Sequence, residues 1–252
     1  MKKIVILLAV TVLLFGFSAQ AMASFADGDL VRVVFSTSNQ ATMYEVGTSL
    51  GNVLSLTNPT TTNYAFTGQP TFNFNMLQSG ATAANSYVAY FVWTNSAASA
   101  WMSGDSTGEK GSKSALSGYK TSAINLDSAF LLASVNQSTA NQGIISQADP
   151  ASFTVAMGQN GRMHSFLATS SPSFTVANLA NLDTVGYVDQ YLYYYTGLTG
   201  SGAVNGLSIA KIRTYADGHT ELNPNAVPIP AAVYLFGSGL LGLVGIRRKM
   251  TV

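Results

Sequence analysis

The sequence has no cysteine among its 252 residues, and this absence removes several kinds of chemistry at once. Disulfide bonds, thiol nucleophiles and thiolate metal sites are all excluded. A folded domain made from this chain must therefore rely on its apolar core, and a chain of this length can bury one.

Charge is also scarce, because charged residues make up only 9% of the chain. The formal net charge is +1, but five of the twelve basic residues lie near the two ends, at Lys2, Lys3, Arg247, Arg248 and Lys249. The sequence between them has seven basic residues against eleven acidic ones. It has no basic footprint of the kind that binds nucleic acid.

Residues 1–23 have the layout of a secretory signal peptide. Lys2 and Lys3 precede an apolar run from Ile4 to Phe17, and small residues follow at Ala21 and Ala23. Signal peptidase recognises such a basic start, short apolar stretch and A-x-A site. We expect cleavage after Ala23. The alternative is an uncleaved anchor, for which the apolar run is short.

Residues 24–222 are predicted to form an all-β domain. Aromatic and β-branched clusters recur between turn signals, as strands require. The clearest predicted strands are Leu30–Phe35, Tyr87–Trp93, Tyr187–Tyr195, Leu207–Tyr215 and Thr220–Leu222. About seven to nine short strands of this kind indicate an antiparallel β-sandwich, jelly-roll-like or Ig-like.

Other segments of the body give weaker signals. Apolar and polar residues alternate over Phe72–Met76, which predicts a half-buried strand. Phe153–Met157 is predicted as a strand of a hairpin that turns at Asn160-Gly161. Ala123–Val135 has apolar residues at helical spacing and is predicted as a helix. The Gly- and Ser-rich stretch Ser103–Lys120 is predicted as a loop.

The final segment, residues 227–252, differs in kind from the body and follows a short linker, residues 223–226. Two prolines make Val227-Pro228-Ile229-Pro230 extended and exposed. Ala231–Ile246 is uncharged and apolar, and as a helix it would span about 24 Å of the ~30 Å hydrocarbon core. Flanking residues or bilayer thinning can supply the rest. Arg247-Arg248-Lys249 would hold the C-terminus in the cytoplasm.

This ending resembles the PEP-CTERM sorting signal in its Val-Pro-x-Pro variant. The matching residues are Val227, Pro228 and Pro230, then Ala231-Ala232, the apolar stretch and Arg247-Arg248-Lys249, while Ile229 stands where an acidic residue is usual. The resemblance implies processing by an exosortase, a membrane-embedded enzyme of Gram-negative bacteria that make exopolysaccharide. It covers residues 227–252 only and implies nothing about what the body binds.

One pattern in the body could belong to an enzyme. Gly104-Asp105-Ser106-Thr107-Gly108 matches the G-x-S-x-G nucleophile elbow, and Asp189 and His219 follow in the order of a hydrolase triad. The elbow, however, needs a buried strand before the serine and a helix after it. The flanking sequence here is rich in Gly and Ser, so we expect a flexible loop and no catalysis.

Metal and cofactor signals are equally sparse. His164 and His219 lie beside predicted turns and are expected to be exposed rather than to bind zinc. Asp27-Gly28-Asp29 could ligate calcium or form a simple turn, but it lacks the spaced carboxylates of a full calcium loop. We expect no cofactor and no metal.

Aromatic residues could instead bind sugars by stacking, or they could fill the core. Trp93 ends an apolar strand and is expected in the core, and alternate residues of Tyr191–Tyr195 must face opposite sides of their strand. Trp101 is expected in a polar loop and is therefore the better candidate for a sugar-binding face.

These signals predict an exported, exosortase-sorted, non-catalytic protein of the cell surface or extracellular matrix, associated with exopolysaccharide. The expected partners are signal peptidase, an exosortase-type processing enzyme, exopolysaccharide and, transiently, the inner membrane. A carbohydrate-binding module is the first alternative and a secreted serine hydrolase the second.

Overall fold

The computed structural model describes residues 25–37, 42–92, 94, 99–108, 110–137, 139, 141–158 and 175–224. The predicted signal peptide with Ala21 and Ala23, the sorting signal from Val227 onward and the turn at Asn160-Gly161 lie outside these residues, as do Trp93 and His164. Expectations about those segments stay predictions.

Twelve strands lie within the described residues. They are β1 (Asp29–Ser36), β2 (Tyr44–Asn52), β3 (Tyr64–Ala65), β4 (Ser86–Val92), β5 (Ala100–Gly104), β6 (Lys110–Ser112), β7 (Gln142–Ser146), β8 (Val176–Asn178), β9 (Tyr187–Tyr195), β10 (Ala203–Asn205), β11 (Leu207–Tyr215) and β12 (Thr220–Leu222).

Ten of these strands form one curled antiparallel sheet. Its order is β3-β12-β11-β9-β5-β4-β1-β2-β7, and β8 pairs with β4 beside this path. Strands β6 and β10 form a separate pair. The prediction of a mostly β, antiparallel fold is confirmed. The finer prediction, a two-sheet sandwich of jelly-roll-like or Ig-like form, is not confirmed by this arrangement.

The sheet is buried on both faces by two apolar clusters. Successive residues of a strand point to opposite faces, so Val31 and Val33 of β1 lie in one cluster while Leu30 and Val34 lie in the other. This double burial explains why β1 appears in the sequence as a run of apolar residues, broken only by Arg32, rather than as an alternation of apolar and polar residues.

Within the described residues, an α-helix, α1 (Leu116–Asn136), covers one face of the sheet. Its buried residues include Tyr119, Leu126 and Phe130. Phe130 lies against Gly47 of β2 and Gly143 of β7, where any Cβ would collide with it. The helix can therefore approach these strands closely because they present no side chain there.

The predicted helix Ala123–Val135 lies inside α1, which begins seven residues earlier, at Leu116. The predicted loop Ser103–Lys120 is correspondingly wrong in large part. It contains the end of β5, the strand β6 and the first turn of α1. Its Gly and Ser residues lie in regular structure because neighbouring segments pack on them, and intrinsic propensity is only a weak guide in such cases.

Two predicted strands are helical turns instead. Phe74–Leu77 is a 3-10 helix, and Phe153–Gly158 is a short π-helical segment. In the second case the carboxylate of Glu45 accepts hydrogen bonds from the backbone N–H groups of Phe153 and Thr154. This side chain satisfies donors at the start of the turn, as a helix cap does.

The curl of the sheet brings distant strands together across its inner side. Arg32 of β1 is fully buried and donates to the carbonyl oxygen of Gly218 at 2.6 Å and to Thr220 Oγ1 at 3.0 Å. Tyr90 of β4 forms hydrogen bonds with Thr214 at 2.5 Å and with Thr220 at 3.0 Å. These contacts join β1 and β4 to the β11–β12 hairpin, although several strands separate them in the sheet.

Candidate functional site

Asn223 directly follows strand β12 and is hydrogen-bonded to β11. The N–H of Asn223 donates to the carbonyl oxygen of Lys211 at 2.7 Å, and its Oδ1 accepts the N–H of Lys211 at 2.8 Å. Its Nδ2 donates to the carbonyl oxygen of Thr62 at 3.2 Å. These bonds fasten the end of the body to two elements, and Val227 follows three residues after Pro224.

A cleft of about 160 Å³ opens beside this fastened end. It lies between the loop that follows β2, residues 53–63, and the end of β12. Val53 and Leu222 are both 1% exposed and form its apolar floor. Tyr64, which is 50% exposed, stands at its wall.

The loop that forms one side of this cleft is attached to the sheet. The N–H of Thr60 donates to the carbonyl oxygen of Ile209 at 2.8 Å. Ile209 lies where the β9–β11 pairing shifts register, between Ser208 and Ala210, and beyond the residues of β11 that pair with β12. The loop also supplies the carbonyl of Leu56, which accepts the indole N–H of Trp101 at 2.8 Å.

Trp101 is therefore not a surface residue, and its expected role as the sugar-binding aromatic is corrected. It lies in β5, is 2% exposed and packs against Tyr194 with ring centroids 4.7 Å apart. Its strand was obscured in the sequence by the small polar residues before it. No face of its ring is available to a ligand.

The residues of the possible hydrolase triad are not assembled. Ser106 lies in an exposed turn that leads into strand β6, so the helix that an elbow requires is missing. The carboxylate of Asp189 binds Arg213 and Lys211. His219 instead contacts Asp217 through Nδ1.

Asp189 belongs to a strip of polar and aromatic side chains on the outer face of β9, β11 and β12. Arg213 donates to both carboxylate oxygens of Asp189, at 2.7 and 3.0 Å, and its guanidinium lies 3.7 Å from the ring centroid of Tyr187. Burial alone would raise the pKa of Asp189, but hydrogen bonds from Arg213 and Lys211 lower it overall. The charges of this strip are already paired with one another.

The other candidate ligands are in ordinary structural positions. His219 lies in the β11–β12 turn, but it is half-buried rather than exposed, because it stacks on Tyr215 with ring centroids 4.0 Å apart. Asp27 and Gly28 form a turn, and Asp29 accepts a hydrogen bond from Ser49 at 2.6 Å. Within the part of the chain that the structure describes, no three His, Asp or Glu residues are grouped to hold a metal ion.

Two buried carboxyl groups have strongly altered proton affinity. Burial raises the pKa of Glu45 to about 8, although hydrogen bonds from Phe153 and Thr154 act in the opposite direction. Burial, together with the charge of Asp29, raises the pKa of Asp127 in α1 to about 8. Glu45 and Asp127 are buried between the helical segments and the sheet, and neither lines the cleft. We infer that they affect the stability of the fold rather than binding at the cleft.

None of the helices in the described ranges combines the length and the apolar character needed to cross a membrane.

The residues of the cleft were not identified from the sequence. Segment 53–63 contains threonines, asparagines and one proline, and this composition predicts only a loop. A signal could have come from Tyr64, an aromatic residue at the end of a polar stretch. Its pairing with Leu222 depends on strands more than 150 residues apart, as the register shows. Comparison with known protein families, curated proteins and solved structures gives no match to this chain.

Proposed function

We propose that this chain is an exported protein that an exosortase-type enzyme sorts to the cell surface or extracellular matrix, where it acts without catalysis and in association with exopolysaccharide. The observation that carries the proposal is the ordered combination of Val227–Pro230, the apolar stretch Ala231–Ile246 and Arg247-Arg248-Lys249, on a chain whose residues 1–23 have the layout of a signal peptide.

The sorting event has a simple physical sequence. The signal peptide directs the chain across the inner membrane, and signal peptidase removes residues 1–23. Export then stops at Ala231–Ile246, because moving Arg247, Arg248 and Lys249 through the bilayer centre costs about 2.5–3.5 kcal/mol per residue or more. The extended motif at Val227–Pro230 is left at the outer face for the processing enzyme.

The fastened end of the body supports this arrangement. Asn223 is bound to β11, and only Pro224, Asn225 and Ala226 separate it from the motif. Three extended residues span about 10 Å. The folded body would therefore remain close to the membrane until cleavage releases it, and the motif would still be free of the sheet.

The alternative of a secreted serine hydrolase receives no support from the described geometry. Ser106 lies in an exposed turn, and His219 contacts Asp217. The carboxylate of Asp189 forms ion pairs with Arg213 and Lys211. The alternative of a carbohydrate-binding module loses Trp101 as its binding residue but keeps other aromatic candidates.

Mass spectrometry of the protein recovered from surface or matrix material tests the sorting proposal. We expect an N-terminus at Ser24 and a C-terminus near Pro230. Surface protein that still carries Arg247 and Lys249 would contradict the proposal and would identify the tail as a plain membrane anchor.

A further inference from the structure

We propose that the cleft between residues 53–63 and the end of β12 binds one neutral sugar unit of a polysaccharide. Its biological meaning rests on the proposed association with exopolysaccharide, but the binding itself does not depend on sorting. The inference stands on three features of the cleft, namely its free hydroxyl groups, its lack of charge and the exposed ring of Tyr64.

The hydroxyl groups of the cleft are available to a ligand. Ser55 and Thr62 are exposed, and the hydroxyls of Ser55, Thr62 and Tyr64 have no partner among the described residues. The hydroxyl of Thr60 accepts the N–H of Thr62 at 3.2 Å and keeps its own proton to donate. Each hydroxyl can donate one hydrogen bond and accept others, which suits the hydroxyl groups of a sugar.

The two amide side chains at the cleft have a different task. Asn52 donates to the carbonyl oxygen of Asp27 at 2.9 Å and accepts the N–H of Leu54 at 3.1 Å. Asn223 is engaged with Lys211 and Thr62. Both amides therefore hold the walls in place, and the walls are positioned before any ligand arrives. A ligand then binds without the entropic cost of ordering this loop.

The absence of charge at the cleft selects against ionic ligands. Among the residues that the structure describes, its lining consists of apolar, hydroxyl and amide side chains, with no Asp, Glu, Lys, Arg or His. A phosphate, carboxylate or ammonium group that entered would lose solvent without gaining a charged partner. A neutral polyhydroxylated ring meets no such penalty.

Tyr64 supplies the surface on which a sugar ring can lie. Its side chain is half exposed, and its ring meets the ring of Phe66 edge-on with centroids 4.9 Å apart. Phe66 is 4% exposed, so Tyr64 rests on the core while one side remains open. An apolar ring surface beside hydroxyl groups matches the two characters of a pyranose, which has C–H faces and an O–H rim.

Saturation-transfer NMR on the full chain, in a detergent without a sugar headgroup, tests the inference directly. The probes are glucose, galactose, mannose, N-acetylglucosamine and their short oligomers, with glucuronic acid as the charged comparison. We expect transfer to at least one neutral sugar and no stronger binding of glucuronic acid. If no neutral sugar receives saturation, or if the acid binds best, the inference is overturned.

Variants then locate the binding. Tyr64→Ala should weaken the sugar's affinity about tenfold because the stacking surface is lost, whereas Tyr64→Phe should retain most of it. Thr62→Val should weaken affinity by removing one hydroxyl at nearly constant shape. Tyr44→Ala is the matched control, because Tyr44 is 37% exposed and lies at the opposite end of β2 from Asn52.

Thermal unfolding of each variant separates lost binding from lost folding. Unchanged affinity in folded Tyr64→Ala and Thr62→Val would overturn the location. Binding is measured on the unprocessed chain, so a negative result here leaves the sorting proposal standing. A failed cleavage test, conversely, would leave the sugar affinity of the cleft unaffected.

Discussion

Nη1 of Arg32 donates a hydrogen bond of 2.6 Å to the carbonyl oxygen of Gly218, joining residues 186 positions apart in the sequence. The same guanidinium donates to the carbonyl oxygen of Pro70 at 2.8 Å and lies 5.1 Å from the ring centroid of Phe72. Burial lowers the pKa of Arg32 to about 10, partly offset by Tyr90, so the side chain is charged at neutral pH. Within the described part of the chain, its partners are carbonyls and hydroxyls, with no carboxylate.

We predict that Arg32→Met destabilises the protein by about 3 kcal/mol. The substitution leaves a buried acceptor at Gly218 and a part-buried one at Pro70 without their donor, and an unsatisfied buried group costs about 1–3 kcal/mol. The substitution also removes the desolvation cost of a buried charge, and this gain offsets only part of the destabilisation. Denaturant unfolding followed by circular dichroism measures the change.

Lys211→Met is the control, because Lys211 carries the same charge on the outer face of the sheet and its side chain, which also pairs with Asp189, is 37% exposed. Its partner Asp189 is 25% exposed at the side chain. An ion pair with such access to solvent contributes about 0.2–1 kcal/mol. Equal losses in the two variants would show that Arg32 has no special role in holding the curl.

The second prediction concerns pH. Burial places the pKa of Glu45 at about 8 in the folded chain, against 4.5 for the free group. Below the lower value both states are protonated, and as pH rises the unfolded state ionises first. Stability should therefore fall as pH increases toward 8, by about 1.4 kcal/mol per pH unit where only the unfolded state is ionised. Glu45→Gln should remove the contribution of Glu45 to this dependence of the unfolding free energy on pH.

The slope of unfolding free energy against pH, measured between about pH 5.5 and 7.5, checks this result. Asp127→Asn should flatten the curve in the same direction, because burial also raises the pKa of Asp127 to about 8. Asp183→Asn, an exposed position, is the control and should leave the slope unchanged. A Glu45→Gln curve parallel to that of the parent protein would contradict the assignment.

The third prediction separates two close contacts made by Phe130. A Cβ at Gly47 would meet the ring of Phe130, whereas a Cβ at Gly143 would meet its backbone. Both Gly47→Ala and Gly143→Ala should destabilise the protein by about 1–3 kcal/mol through overpacking. In a Phe130→Leu background Gly47→Ala should be less destabilising, because the leucine side chain is smaller and can move. Gly143→Ala should be as destabilising as before, because the backbone of residue 130 stays in place.

A double-mutant cycle for each glycine with Phe130→Leu measures the coupling. We expect coupling for Gly47 and additivity for Gly143. The same coupling at both positions would mean that helix α1 shifts as a whole rather than at one side chain.

The strands that could be predicted from the sequence are those buried on both faces or closed by a tight turn. Asp217-Gly218 marks the turn between Leu207–Tyr215 and Thr220–Leu222, and β1 is predictable because five of the six residues Leu30–Phe35 are apolar. Tyr44–Asn52 was missed because Gly47 and Thr48 interrupt its apolar pattern. The need for Gly47 arises from Phe130, 83 residues further on, and no local pattern contains that information.

The candidate site escaped prediction for a related reason. The sequence places Trp101 in a polar loop and so predicts an exposed, sugar-binding ring, but β9 and the 53–63 loop cover that ring. Tyr64, by contrast, is exposed because β3 is a two-residue edge strand. Burial of an aromatic residue depends on which distant segments lie over it, whereas the sorting motif is local and could be found in the sequence.

The last prediction tests what Pro228 and Pro230 do in the proposed sorting motif. A proline fixes its own backbone and restricts the residue before it, so two prolines in four residues keep the segment extended. Pro228→Ala with Pro230→Ala removes this restriction and should leave uncleaved precursor in the inner membrane, detected as the larger band in membrane fractions.

Pro224→Ala is the matched control, because Pro224 precedes the motif and directly follows Asn223, which is hydrogen-bonded to β11. The Pro224→Ala precursor should be cleaved normally. If the double variant is processed like the parent chain, extended conformation at these prolines is not what the processing enzyme recognises. Loss of cleavage in Pro224→Ala as well would instead point to the short connection between Asn223 and Val227, because any change there alters how the folded body presents the motif at the membrane surface.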